Sequence, residues 1–375
     1  MKNLFVVFAF LSLNLSISQE LALARVNDKF GYINKTGEWV IQPQFLNAKS
    51  FSGDYAQAMA DDKLWGYIDR SGEWVIKPIF KKTKAFQSDI AIVNDGISWY
   101  YIDKTGSKIL TEVVTDKVYD FSEDLAVVKT EDKVGFINKE GEVVIPKEYT
   151  KAFDFYNGYS RAQKNEKWGL LDKSGNEYIK IEYEEIGNLY NGVIIAKKDG
   201  VWGLIKAKEF IPVEGAVKIW DFTINGSVSY AKKGEKVGFI NNNGEWIIEP
   251  KFVKVRGFKK GLAPFYENKL WGYINKKGEV VIKPQYKDAE VFSEDGLAPV
   301  KTKKLWGFIN AKGELIIEEK YGITAGNFGM FFGIKTEKGF VDGLARVKHN
   351  KQWAFLNTKG EVLNNTWFQN LELFK

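Results

Sequence analysis

Lys269-Leu270-Trp271-Gly272-Tyr273-Ile274-Asn275-Lys276-Lys277-Gly278-Glu279-Val280-Val281-Ile282-Lys283-Pro284 reads as one hairpin. An aromatic strand leads into a turn that opens on Asn and closes on Gly, and an aliphatic strand leaves it and stops at proline. Alternate residues of a strand face opposite ways, so Trp271, Tyr273 and Asn275 share one face while Gly272 and Ile274 share the other. Nothing here carries the i, i+3, i+4 spacing of a helix.

The phrase recurs along the whole chain. With the Gly of the Trp-Gly pair as a ruler, copies fall at Gly31, Gly66, Tyr100, Gly135, Gly169, Gly203, Gly238, Gly272, Gly307 and Ala354. Eight successive steps are 34 or 35 residues and the ninth is 47. A spacing held that closely identifies a tandem array of ten units.

Each unit offers three strand-like pieces. The first is of the type Gly343-Leu344-Ala345-Arg346-Val347, the second is the aromatic strand and the third is the aliphatic strand with its tail. The turns obey one rule, as in Asn34-Lys35-Thr36-Gly37 and Asp69-Arg70-Ser71-Gly72. The Asn or Asp side chain accepts a hydrogen bond from the turn backbone, and Gly takes the positive φ that closes it. Pro43, Pro78, Pro250 and Pro284 follow the turn Gly by six residues and mark a strand's end, because proline cannot donate to a ladder. Three copies depart: the third has Tyr100 for Gly, the sixth (Trp202 to Pro212) lacks the turn Gly, and the tenth ends without the aliphatic-proline strand. The ninth carries an inserted stretch, 322–341.

A lone three-stranded meander cannot cover its own apolar faces, so neighbours must stack. The expectation is an all-β open twisted stack of ten β-meander repeats of about 35 residues over residues 19–375, because ten three-stranded copies fit poorly with the four to eight four-stranded blades of a usual ring. A closed β-propeller is the alternative.

The address precedes the array. Lys2 and an apolar run from Leu4 to Ile17, ending in Ser16-Ile17-Ser18, match a secretory signal peptide over residues 1–18. The run falls short of the ~20 apolar residues of a spanning helix. The chain is therefore expected to be exported, to the periplasm, the cell surface or beyond. Cysteine is absent, which excludes disulfides, thiol nucleophiles, thiolate metal sites and a lipidated Cys after the signal. The formal charge of +6 is spread over interleaved acidic and basic runs, which reads as a mixed surface with no nucleic-acid stripe.

At the Trp-Gly pairs the chain resembles the WG-repeat family, bacterial proteins built from tandem units of this length. The pair stands at Trp65-Gly66, Trp168-Gly169, Trp202-Gly203, Trp271-Gly272 and Trp306-Gly307; other copies carry Phe30-Gly31, Val134-Gly135 or Val237-Gly238. The resemblance implies interaction modules and supplies no catalytic motif.

The residues agree with that. The single histidine, His349, sits in the polar stretch Lys348-His349-Asn350-Lys351 with no second His or Cys to share a metal, and adjacent carboxylates such as Asp61-Asp62 point apart on a strand. No catalytic, metal-binding or cofactor-binding residue is expected, and no cofactor. The Trp of each pair is read as core packing. Candidate contact residues are Trp39, Trp74 and Trp246, which open the third strand, and the Phe328, Phe331 and Phe332 cluster of the insertion. The expected function is a non-catalytic binding scaffold for a protein partner. Binding of cell-wall or surface glycan through exposed aromatics is the alternative.

Overall fold

The computed structural model describes residues 19–109, 117–222, 226–323 and 338–375. The signal peptide and Phe328, Phe331 and Phe332 lie outside the described residues.

Among the described residues, ten small antiparallel sheets follow one another along the chain, nine of four strands and one of three. Within a sheet the strands run A-B-C-D. In blade two these are Asn47–Ala48, Ala56–Met59, Trp65–Ile68 and Trp74–Phe80. Strands B, C and D are the meander expected from the sequence. Strand A corrects that reading. It is formed by the tail of the preceding copy, which leaves strand D after a single residue, Leu46, and pairs with strand B of the next blade (Asn47↔Met59, Ala48↔Ala58).

The array also closes, which overturns the expectation of an open stack. Strand A of blade one is the C-terminal segment Asn370–Leu371, paired with Ala22–Val26 through Ala24↔Leu371 and Arg25↔Asn370. Reciprocal bonds between Leu21 and Lys375, at 3.0 and 3.1 Å, extend the seam. Ala22, Ala24 and Ile33 of blade one share a core with Phe355, Phe368 and Leu371. With a fourth strand in nine of the ten blades, the three-strand count no longer argues against a ring.

Strand C needs its glycine because strand D arches over it. Trp271 pairs with Tyr286 and Tyr273 with Ile282, so two residues of C face four of D. A Cβ on Gly272 would overlap the Ile282 carbonyl oxygen, and Gly31, Gly66, Gly135, Gly238 and Gly307 are in the same position under their own D strands. The arch is a bulge, a local excess of residues in one strand of a pair. Its proline sits where strand D leaves the ladder.

The departing copies adapt in ways that follow from their residues. Blade six has no turn Gly and joins C to D by a two-residue turn, Ala207 and Lys208, with φ of 49° and 69°. Its strand D (Glu209–Pro212) then pairs in plain register. Blade ten has Ala354 for Gly, and a 3₁₀ turn over Leu363–Asn365 replaces the arch before Phe368 bridges Trp353. In blade three, Tyr100 is half-buried under the Lys108 ammonium, 4.6 Å from its ring centre, and the described part of strand D is Lys108–Ile109.

Both faces of a blade are covered by its neighbours. Tyr67 and Ile68, adjacent on strand C and on opposite faces, are each no more than 1% exposed. Burying a side chain of this size contributes roughly 2–3 kcal/mol. Antiparallel order places the A–B and C–D turns on one face of the ring, and the B–C hairpins and D-to-A links on the other. The first is the acid-rich face: a Glu follows the turn Gly at Glu38, Glu73, Glu142, Glu245, Glu279, Glu314 and Glu361.

Candidate functional site

The turns that set the blades apart are rigid for a local reason. Asp69 Oδ1 accepts from the Ser71 and Glu73 amides at 2.9 and 3.1 Å, and Gly72, at φ 91°, donates to the Asp69 carbonyl. Joints between blades repeat as well. The strand-C tyrosines Tyr32, Tyr67, Tyr101 and Tyr273 donate to the carbonyls of Lys49, Lys84, Tyr119 and Glu290, next to strand A of the following blade, at 2.7 to 2.9 Å. Burial raises the pKa of each of these phenols, so they stay protonated as donors.

Against that repeating frame one register position is different in almost every blade. It lies beside strand A, two residues before the aromatic of the tail, such as Phe51 or Phe292. It is a cation at Lys49, Lys84, Arg256 and Lys338, an anion at Glu290 and Glu372, an aromatic at Tyr119, Phe153 and Trp220, and bare at Gly187. Most of these side chains are partly buried, so their variety is not the free drift of a solvated surface.

Two sectors stand out. In blades five to seven the position is aromatic around a bare gap. Phe153 stacks on Trp168 at 5.6 Å and 28°, with the Arg161 guanidinium 4.1 Å over its ring. Trp220 lies 4.9 Å from Tyr230. Phe153 remains 46% exposed, an unusual value for a ring so well supported. In blades eight to ten the position is charged. Arg256 bonds Asp288 at 2.9 Å and also pairs with Glu290, and Lys338 reaches Glu290 at 2.7 Å. Arg256 lies 4.8 Å over Trp271, while Lys301 and Lys338 lie 4.5 and 5.5 Å over Trp306. Burial, then the Arg256 charge, lowers the Lys338 pKa. Between blades three and five, Lys84 pairs with Asp120 at 2.8 Å, and burial with the Asp120 charge raises the Asp154 pKa. The arrangement holds charged and aromatic groups at fixed spacing along one register position.

The residues singled out from the sequence lie elsewhere. Trp202 and Trp306 are buried, and Trp65, Trp168 and Trp271 are half-buried. Trp271 and Trp306 have cations over their rings, and Trp168 has Phe153. Gly66, Gly169, Gly203, Gly272 and Gly307 all sit under strand D. Trp39, Trp74 and Trp246 are half-buried at joints: Trp39 meets Phe368 and Trp74 meets Phe45 edge-on at 5.7 Å, and Trp246 Nε1 donates to the Glu214 carbonyl at 3.1 Å. His349 Nδ1 donates to the Lys320 carbonyl at 3.0 Å. Phe153 and Trp220 were missed, although their placement two residues before Phe155 and Phe222 could have flagged them.

The profile of a family described as WG containing repeat matches residues 30–63, 65–96, 101–133, 135–168, 168–202, 238–271, 271–306 and 306–322. No curated protein matches. Among solved structures, a eukaryotic initiation factor is 10% identical, with 95% of this chain and 98% of that one covered, at a TM-score of 0.48. PorZ, a surface component of the type-IX secretion system of Porphyromonas gingivalis, is 10% identical over 90% of this chain and 55% of that one, at 0.26. Hsv2 of Kluyveromyces lactis is 12% identical over 68% and 97%, at 0.33.

Proposed function

The chain belongs to the WG containing repeat family, and from that premise we propose that it is an exported, non-catalytic scaffold that binds a protein partner along strand A. The observation that carries this reading is the contrast between a frame of recurring turns and joints and one mostly half-buried position that differs from blade to blade. Packing alone gives no reason for Phe153, Gly187, Trp220, Arg256 and Glu290 to succeed one another at equivalent sites. A partner with its own sequence of apolar, basic and acidic groups would read such a series. Aromatic and arginine side chains are also the groups that anchor interfaces. An elongated protein segment suits the series better than a glycan, because the indoles proposed for stacking, Trp39, Trp74 and Trp246, are engaged in blade joints.

The test is affinity capture from envelope extract with residues 19–375 as bait, beside a variant carrying Phe153→Ala, Trp220→Ala and Arg256→Ala. Circular dichroism on both establishes that the variant is folded. A defined protein held by the parent and released by the variant supports the reading. Equal capture by both sinks it, and recovery of glycan without protein moves the function to the carbohydrate alternative.

A further inference from the structure

We propose that the B–C hairpin face of blades seven to ten docks on an anionic lipid bilayer surface. The chain's acidic and basic runs alternate in sequence, and the ring sorts them, because successive turns go to opposite faces. Three of the four hairpins in this sector, 232–236, 301–306 and 348–352, contain a single acidic residue, Glu235, which is paired with Lys232 at 3.0 Å. Lys233, Lys236, Lys269, Lys303, Lys304 and Lys351 project from the four hairpins, exposed and without an ion-pair partner among the described residues. Glu319, beside the blade-nine hairpin, is turned onto it, accepting from the Thr302 amide and hydroxyl at 2.8 and 2.7 Å.

The same sector exposes aliphatic groups, Val253 at 50% and Leu305 at 42%. Unpaired ammonium groups with aliphatic side chains between them match the headgroup and upper acyl layers of a bilayer, where each lysine is drawn to anionic lipid and the attraction fades within a Debye length. A nucleic acid suits the sector less well. Single strands are held by stacking on open rings, whereas Trp306 is buried and Arg256 lies over Trp271. The hairpins of blades one to three carry Asp28, Asp61, Asp62 and Asp95, which fixes blades seven to ten as the side that approaches. This inference does not rest on partner binding along strand A.

The experiment is co-sedimentation of residues 19–375, which hold all ten blades, with vesicles of phosphatidylcholine alone or with about a third phosphatidylglycerol. Two charge-matched variants are compared: Lys303→Glu with Lys304→Glu on this face, and Lys276→Glu with Lys277→Glu on the C–D turn of blade eight, on the opposite face. The parent should bind the anionic vesicles and lose binding as salt rises. The first variant should lose at least about tenfold in partition and the second less than about twofold. Equal losses in both variants, equal binding to neutral vesicles, or no binding at all would overturn the proposal. Displacement of the vesicles by a short single-stranded DNA would overturn it in favour of a nucleic-acid surface.

Discussion

The seam between blades ten and one and the joint between blades three and four are built alike, although blade one takes its strand A from the far end of the chain and blade four does not. Lys139, on the C–D turn of blade four, pairs with Asp124 of its own A–B turn and Asp89 of the preceding one, at 2.7 and 3.5 Å. Lys35, at the equivalent place in blade one, pairs with Glu20 at 2.6 Å and with Asp342 of blade ten at 3.2 Å. The strand-B side chain that reaches the next strand A is equally alike. Gln57 donates to the Thr83 carbonyl at 2.7 Å, and Arg346 donates across the seam to the Leu371 carbonyl at 2.8 Å and pairs with Glu372. The seam is therefore an ordinary joint assembled from the two chain ends. It differs in one respect: strands A and B of blade one are joined only by backbone pairing and side chains, whereas in the other blades the chain also runs from strand A into strand B.

That difference sets the largest predicted effect. Leu371→Asp puts an unpaired carboxylate into the closing sheet, and Ile219→Asp does the same at the equivalent position of blade seven. Each should cost about 4 kcal/mol or more, read as a fall in the denaturation midpoint. The seam variant alone should also open the ring, seen as a larger radius of gyration by small-angle scattering under native conditions. A compact Leu371→Asp protein would show that the rest of the seam suffices.

Next in size is the arch. Gly272→Ala forces a methyl group into the Ile282 carbonyl, which is backbone and cannot rotate away, and should cost about 3 kcal/mol. Ala354→Gly in blade ten, where no arch covers strand C, removes one buried methyl and should cost about 1 kcal/mol. Equal midpoint shifts for the two would sink the account of why the pair is Trp-Gly.

The smallest effect concerns the surface clamps. Lys35→Met and Lys139→Met should each lose between 0 and about 1 kcal/mol, since both ammonium groups are partly solvated. Values that agree within error in urea titrations would make the seam equivalent to an internal joint. A distinctly larger loss for Lys35 would mark the seam as the weaker joint, where unfolding begins.

Much of this was legible in the residues. The hairpins, the turns with their Asx acceptors and the irregular blades three, six and ten rest on interactions within about fifteen residues, which a sequence displays directly. Trp39, Trp74 and Trp246 could not be placed that way. Whether an indole is free or lies against Phe45 or Phe368 depends on the neighbouring blade.

By itself, then, the sequence determined an all-β array of ten units and the Asx-Gly turns of nine of them, because backbone hydrogen bonding and the φ that glycine permits are local. The tertiary structure decided that the tail of each unit becomes the first strand of the next blade. It also decided that Asn370–Leu371 completes blade one, and that interleaved charges end on opposite faces. Closure depends on the rotation accumulated over ten joints, and face on the direction of each strand within the ring; neither is a property of any one repeat.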